Sequence, residues 1–361
     1  MRTAGNSPGM VEKAVKLFEE AGLDQLIAPK DLVAIKLHFG EEGNTGYLKP
    51  VYVRPIVDKV KECGGKPFLC DSNTLYRGQR GNAVDHINLA ARHGFSHEAM
   101  GAPIVIADGL TGRNFVELPI NKKQLRTAHV AADLYHAGAV ICLVHFKGHI
   151  QMGIGGAMKH ISMGFANRGG KQALHSQMYP EVNAERCKGC GICAKWCPAD
   201  TIKVDKRVAV VYTEACIGCG ECTAVCPNGA IAVRWGDAQQ KEQERVAEFC
   251  WAVMKEKRGK IGFMSFLMDI TPDCDCFSKS DTPIVNDIGI LASQDPVAID
   301  QAAVDLVNQQ PGRRDSALKK NHRAGADKFR GVNPHIDYTI QLAYAEELGV
   351  GSRSYKLVEV A

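Results

Sequence analysis

Apolar residues fall at helical spacing between Met10 and Ala21, where Val11, Ala14, Val15, Phe18 and Ala21 share one face. Leu32 to Phe39 is a continuous apolar run of the kind that forms a strand buried on both faces. Helical spacing returns from Val51 to Cys63 and stops at Gly64-Gly65. A short strand is expected over Lys66 to Asp71, then a helix over Ala83 to His93 that Gly94 ends. Strand patterns follow at Pro103 to Ala107, Phe115 to Ile120 and Ala139 to Phe146, with a helix near His129 to His136. Strands alternating with helices predict an α/β layer fold with a largely parallel sheet.

This rhythm breaks near Asn183. A cysteine-rich block with its own internal repeat occupies residues 184–234. Helical spacing then resumes from Gln239 to Lys257, through Val246, Phe249, Cys250, Val253 and Met254. Strands are expected at Ile261 to Met268 and Ile284 to Leu291, and a helix at Pro296 to Asn308, with proline at its first position. The reading is an α/β unit of one or two lobes, in two stretches at 1–183 and 235–361, interrupted by a small α+β insert at 184–234. Arg313 to Arg330 is basic and poor in apolar residues, the composition of a solvated loop or helix face.

Composition adds limits to that picture. Hydrophobic residues make up 45% and charged residues 23% of 361, the balance of a soluble globular protein. No apolar run reaches the roughly 18 residues of a membrane span. Met1 to Pro8 is polar and lacks the apolar core of a leader, so a cytoplasmic location is expected. A formal charge of +4 is small for this length and argues against nucleic acid as a partner.

The fourteen cysteines are spread unevenly, and eight of them lie in one segment. Two runs share a template: Cys187-x2-Cys190-x2-Cys193-x3-Cys197-Pro198 and Cys216-x2-Cys219-x2-Cys222-x3-Cys226-Pro227. Three cysteines three residues apart let a tight loop curl around one cube. The fourth points away and reaches the other cube. One [4Fe–4S] cluster is therefore expected on Cys187, Cys190, Cys193 and Cys226, and a second on Cys216, Cys219, Cys222 and Cys197. Zinc prefers separated C-x2-C pairs and does not suit two runs of four in this register. The segment resembles the bacterial-type two-cluster ferredoxins. That resemblance implies low-potential one-electron transfer and a small hairpin from Ile202 to Val204 and Val208 to Tyr212.

Over nearly its whole length the chain resembles the family called domain of unknown function 362. The residues that carry the resemblance are Val33 to Glu41, Cys70-Asp71-Ser72-Asn73, Ala107-Asp108-Gly109, His145 to His149, Gly155-Gly156-Ala157-Met158-Lys159 and Asp295 to Asp300. That family implies no activity, so the residues are argued directly. The densest polar cluster follows the strand Ala139 to Val144. It holds His145, Lys147, His149, Lys159, His160, Lys171 and His175 among glycines, where α/β folds place ligands. Gly153-x-Gly155-Gly156-x2-Lys159, with Lys147, would set backbone N–H groups and lysines around a small anionic molecule at a helix start. His149, Lys159 and His175 are also similar to a short core stretch of the lactate racemase family of nickel-pincer enzymes. There the matching residues act as acid/base, bond the pincer cofactor and ligate nickel, so an additional metal or organic cofactor is in view.

Lys36, His38 and Glu41 follow one strand, and Asp71 and Asn73 another. Strand ends gather on one edge of a parallel sheet, so these residues are expected to share a cleft with His149. Asp273-Cys274-Asp275-Cys276 could bind a metal or form a redox dithiol, although flanking carboxylates would raise the thiol pKa values. Cys63, Cys70, Cys142 and Cys250 lie in apolar patterns and are expected in the core. The combined expectation is an oxidoreductase whose clusters pass electrons to a site built on Lys36, His38, His149, Lys159 and His175. The alternatives are an electron carrier or maturation partner that docks another redox protein, and an isomerase or racemase with structural clusters.

Overall fold

The structure is a computed structural model that describes residues 9–76, 78–175, 180–197, 199–216, 221–233 and 239–360. Its centre is a six-stranded sheet of β1 (Leu32–Lys36), β2 (Lys66–Asp71), β3 (Ile104–Ile106), β4 (Ala139–His145), β5 (Ile261–Leu267) and β6 (Gly289–Ser293), in the order β6–β5–β4–β1–β2–β3. Every pairing is parallel except β5 with the edge strand β6. The chain thus leaves β1 toward one edge through β2 and β3, then returns to the other side of β1 with β4. This reversal opens a crevice at the carboxyl ends of β1 and β4.

Alternate residues of each strand feed two cores. Val33, Ile35, Ile141, Leu143 and Met264 face α1 (Met10–Glu20) and α2 (Pro50–Glu62), where they meet Phe18, Val53 and Val57. Ala34, Val140, Cys142 and Phe263 belong to the opposite core, which takes Met158 and Ile161 from α3 (Ala157–Ser162), Leu174 from α4 (Arg168–His175), Phe249 and Val253 from α5 (Gln239–Glu256), and Val297 from α6 (Pro296–Gln309). Each such side chain contributes about 1.5–3 kcal/mol by leaving water, which is why the strands read as unbroken apolar runs. Cys70, Cys142 and Cys250 are fully buried, as expected, and Cys63 packs at the margin of its core. Among the described residues no helix is long and apolar enough to cross a membrane.

Three local expectations are corrected. The helix near His129 to His136 is a strand over Thr127–Ala131, paired antiparallel with Phe115–Pro119, followed by one helical turn at Ala132–His136. Alternating burial of Ala128 and Val130 against its partner strand outweighs the helical spacing. The strand expected over Ile284 to Leu291 begins only at Gly289, because the Ile284 amide donates to Ile270 O and its carbonyl accepts from Arg313 N. The stretch from Arg313 to Arg330 is not wholly solvated. Leu318, Lys328 and Phe329 are buried, and the Lys328 ammonium donates to the carbonyls of Asn308, Arg323 and Ala326 at 3.0, 2.9 and 2.7 Å.

The cysteine-rich block contains an antiparallel hairpin, Ile202–Asp205 with Val208–Val211, and short helices at Ile192–Lys195 and Glu221–Val225. Its two ends are joined by an antiparallel ladder between Pro180–Val182 and Ile231–Val233.

Asp300 on α6 ties the cleft helix α3 to the core. Its carboxylate accepts from Ala157 N at 2.7 Å and Met158 N at 2.9 Å, and burial lifts its pKa from 3.8 to about 7. A Cβ on Gly156 would meet the Asp300 carboxylate at 2.2 Å, so glycine is required for this approach. The folded state retains a proton that the unfolded chain has lost between pH 4 and 7, so this group's stabilisation declines as pH rises through that window. Urea midpoints measured across it should fall with pH relative to those of Asp300→Asn. Identical pH profiles for the two proteins would contradict the assignment.

Candidate functional site

A cavity of about 590 Å³ opens at the carboxyl ends of the parallel strands. The end of β1 and the segment after it supply Lys36, His38 and Glu41. The end of β2 and its following segment supply Asp71, Tyr76 and Arg80, the end of β4 and its following segment His145, Lys147 and His149, and the segment after β5 Cys274 and Cys276. Lys159 and His160 enter from α3, and Lys171 and His175 from α4. Lys36, His38, Glu41, Asp71, His149, Lys159 and His175 all line the cavity, as do Lys147, Gly155 and Gly156, whereas Asn73, expected in the same cleft, bonds to Asp108 and Gly109 instead.

Charge in this cavity is arranged in pairs. Lys36 Nζ lies 2.9 Å from Asp71 Oδ1, with both side chains almost fully buried. Arg80 reaches Glu41 at 3.3 Å, Asp71 at 3.6 Å and the Tyr76 hydroxyl. Burial alone would raise the Asp71 pKa, but the Lys36 ammonium and the Arg80 guanidinium beside it hold it below the usual carboxylate range. His38 is kept well below the ordinary histidine value by burial and by Arg80, whose Nη1 lies 2.9 Å from His38 Nε2. Lys171 donates to Ser72 Oγ and Ala166 O, each at 2.6 Å, and burial lowers its pKa to about 8. Among the described residues, five basic chains (Lys36, Arg80, Lys147, Lys159, Lys171) and two acidic ones (Glu41, Asp71) line the cavity. Counting Asp275 behind the wall and a thiolate at Cys274 still leaves a small basic surplus among them, which favours an anionic guest.

A thiol corner closes one side. Phe277 N donates to Cys274 O at 3.0 Å, so residues 274–277 form a turn. Asp275 points away from the cavity, where its carboxylate sits 3.0 Å from His145 Nδ1 and 2.7 Å from Lys147 Nζ. Burial would raise the Asp275 pKa, but His145 and Lys147 hold it far down. Cys274 hydrogen-bonds Cys276 and His149, and Lys159 Nζ lies 3.2 Å from its sulfur. The Cys276 thiol, Lys159 and His149 together keep the Cys274 pKa well below the ordinary thiol value despite burial. This overturns the expectation that the flanking carboxylates would raise it, because Asp275 faces its own cations. Burial would depress the Lys159 pKa, but the Cys274 and Cys276 sulfurs raise it, so this lysine acts as a cation.

His149 Nδ1 accepts from Gln151 N at 3.2 Å and Met152 N at 3.0 Å. The ring proton of the neutral imidazole therefore sits on Nε2, the nitrogen left for the Cys274 sulfur. Burial, then Lys159, lowers the His149 pKa to about 4. Ligand atoms of His149, Cys274 and Cys276 lie within 4.8 Å of one another, a donor set suited by type to one soft metal ion.

Two expectations about the glycine run do not hold. The amides at the start of α3 are taken by Asp300, so the protein's own carboxylate occupies the anion position expected there. Gly153 does not line the cavity; its φ is +73° and a Cβ there would meet Tyr338 at 2.9 Å, so glycine serves the local packing instead. His175 lies at the cavity edge with Nδ1 3.0 Å from Glu242. Arg80, Tyr76, Glu242 and Asp300 had no assigned role from sequence. The first two follow β2 closely enough that the strand-end rule covers them, whereas the last two are brought in by tertiary packing.

In the cysteine block, Cys187, Cys190, Cys193 and Cys226 line one small cavity, so the fourth cysteine of the second run joins the first three of the first. Ala209 N donates to Cys187 Sγ at 3.3 Å and Ala230 N to Cys226 Sγ at 3.2 Å. Such N–H···S contacts suit thiolates bound to metal. Cys197 accepts from Thr201 N at 3.3 Å. Cys216 and Cys222 are also described, whereas Cys219 lies outside the described residues. All described cysteines are free of disulfides. The block meets the cavity lip where Thr223 Oγ1 donates to Leu75 O at 3.1 Å.

The chain belongs to the family described as domain of unknown function (DUF362), whose model matches residues 33–305. Nothing matches among curated proteins. Among solved structures, the chain is similar to the lactate racemase apoprotein from Thermoanaerobacterium thermosaccharolyticum, at 12% identity and a TM-score of 0.42, over 83% of this chain and 55% of that one. It is also similar to a protein from Thermotoga maritima, at 10% identity and a TM-score of 0.39, over 71% and 49% of the two chains. The chain thus spans about half the length of each.

The thiol corner makes a direct prediction for His149. In an NMR titration its imidazole should remain neutral down to about pH 4. A midpoint near 6.5, the value of a solvated histidine, would contradict the buried Lys159–Cys274–His149 arrangement.

Proposed function

We propose that this DUF362 protein is an iron–sulfur oxidoreductase in which two [4Fe–4S] clusters exchange single electrons with an anionic ligand held in the basic cavity. Cys187, Cys190, Cys193 and Cys226 would hold one cluster, and Cys216, Cys219, Cys222 and Cys197 the other. When bound, the clusters supply one-electron steps at low potential. The observation that carries the reading is the contact between the cysteine block and the cavity. Thr223 follows the ligand Cys222 and bonds to Leu75, and both Leu75 and the next residue, Tyr76, line the cavity.

The chain's own residues have separable tasks. Lys159 supplies fixed positive charge beside the thiols, and Lys171 supplies it below about pH 8. Lys36, Arg80 and Lys147 are held by carboxylates and so present donors in fixed directions. His149 and His38, kept neutral by burial, can donate or accept a hydrogen bond without adding charge. His175 stands at the rim beside Glu242. A carrier without chemistry of its own would have little use for a buried basic cavity at its strand ends. A redox partner protein is expected to dock at the cysteine block, where Cys190, Trp196 and Tyr212 are exposed.

Two measurements test this. Protein purified without oxygen should contain about eight irons per chain and give reduced-cluster EPR signals. A colourless zinc-containing or metal-free chain would overturn the cluster assignment. In a binding titration with small carboxylates and phosphates, Arg80→Ala and Lys159→Ala should each weaken the best anion by about tenfold or more, the loss of a charge-assisted hydrogen bond. Unchanged affinity in both variants would remove the cavity from the proposal.

A further inference from the structure

We infer that Cys274 and Cys276 form a reversible dithiol–disulfide couple that stores two electrons at the wall of the cavity, a reading that rests on the cluster proposal for its electron partner. The turn at 274–277 brings both sulfurs to the same side while sending Asp275 to His145 and Lys147. Cys274 is 1% exposed, and its sulfur lies with that of Cys276 and the imidazole of His149 inside a 4.8 Å group. The two sulfurs thus lie within 4.8 Å of each other, and disulfide closure brings them to about 2 Å.

The environment suits a thiolate that gains and loses electrons better than a metal ligand. Lys159 Nζ lies 3.2 Å from Cys274, so a metal ion on that sulfur would sit beside a fixed cation. His149 Nδ1 faces two amide donors. Metal on Nε2 would displace the only ring proton and leave an imidazolate, whereas metal-bound histidines normally donate from their second nitrogen. With the proton on Nε2, His149 is instead a donor to the Cys274 sulfur. The same thiolate preference makes Cys274 the nucleophile and Cys276 the proton-bearing partner.

The step balances as follows. Cys274–S⁻ and Cys276–SH form one S–S bond, the Cys276 S–H bond breaks and its proton leaves through the cavity to solvent. Two electrons depart singly, one to each oxidised four-iron cluster. In reverse, two reduced clusters return one electron each, one proton is taken up and the S–S bond breaks. After the first electron the sulfur pair carries excess negative charge, which Lys159 offsets. Two one-electron clusters and one two-electron thiol pair have matching capacities. Tyr76, which lines the cavity with both thiols, is the residue next to Leu75, to which the cysteine block bonds.

The test uses the full-length protein, prepared without oxygen and equilibrated in dithiothreitol buffers of graded potential. Thiols are trapped with N-ethylmaleimide and the chain is read by intact and peptide mass. The peptide carrying Cys274 and Cys276 should lose two adducts together, along a single two-electron curve that reverses on reduction. Lys159→Gln should raise the disulfide-to-dithiol ratio about tenfold at a fixed buffer, a shift of about 30 mV for two electrons, because it removes the cation that favours the thiolate; Lys159→Arg should restore the wild-type curve. The inference is overturned if both cysteines are alkylated at every potential. It is equally overturned if they are protected by a bound metal that appears in native mass, or if Lys159→Gln titrates like the wild type. Folding of each variant is checked by circular dichroism, and Cys276→Ser, which retains the Cys274 sulfur, should abolish the paired loss. The thiol curve does not depend on iron, so a colourless protein that still titrates would sink the cluster reading and leave the dithiol, whereas an iron-loaded protein with inert thiols would do the opposite.

Discussion

The buried contact of Asp275 with His145 and Lys147 organises the cavity. A carboxylate this deep is tolerable only because two basic side chains from the end of β4 meet it. Removing one partner of such a pair typically costs about 3–5 kcal/mol, because the remaining charge is stranded. Its geometric effect matters as much. By pulling Asp275 behind the wall, the pair fixes the turn that presents Cys274 and Cys276 to the cavity, and so links β4 to the segment after β5 at the crevice. The Lys36–Asp71 pair does the same between β1 and β2.

Much of this arrangement was legible in the chain. The strands Leu32–Lys36, Lys66–Asp71 and Ala139–His145 follow from apolar runs, and the gathering of Lys36, His38, His149 and Lys159 follows from the parallel sheet those runs imply. Three features were not legible. Periodicity treated Thr127 to Ala131 as helix because it cannot see the partner strand at Phe115–Pro119. The glycines at 153–156 suggested a ligand cradle, but the carboxylate that fills it comes from Asp300, 143 residues from the amide it bonds most closely. Asp273 and Asp275 seemed set to suppress thiol reactivity, since sequence adjacency says nothing about which way a turn sends each side chain.

The cavity therefore combines two electrostatic designs. Around β1 and β2, cations and carboxylates cancel in pairs and fix donor directions. Around α3 and the thiol corner, Lys159 faces sulfur, and two histidines stay uncharged because burial outweighs every neighbour that would charge them. Under the proposed function, the directional donors would hold the guest and the soft, polarizable sulfur side would exchange electrons with it.

The short ladder between Pro180–Val182 and Ile231–Val233 brings the entrance and exit of the cysteine block side by side. A segment whose ends meet adds little chain-closure entropy to its host, since that cost grows only with the logarithm of the intervening length. Among the described residues neither main core draws a side chain from the block, so what joins the block to the sheet is its paired chain ends and contacts such as that of Thr223 with Leu75.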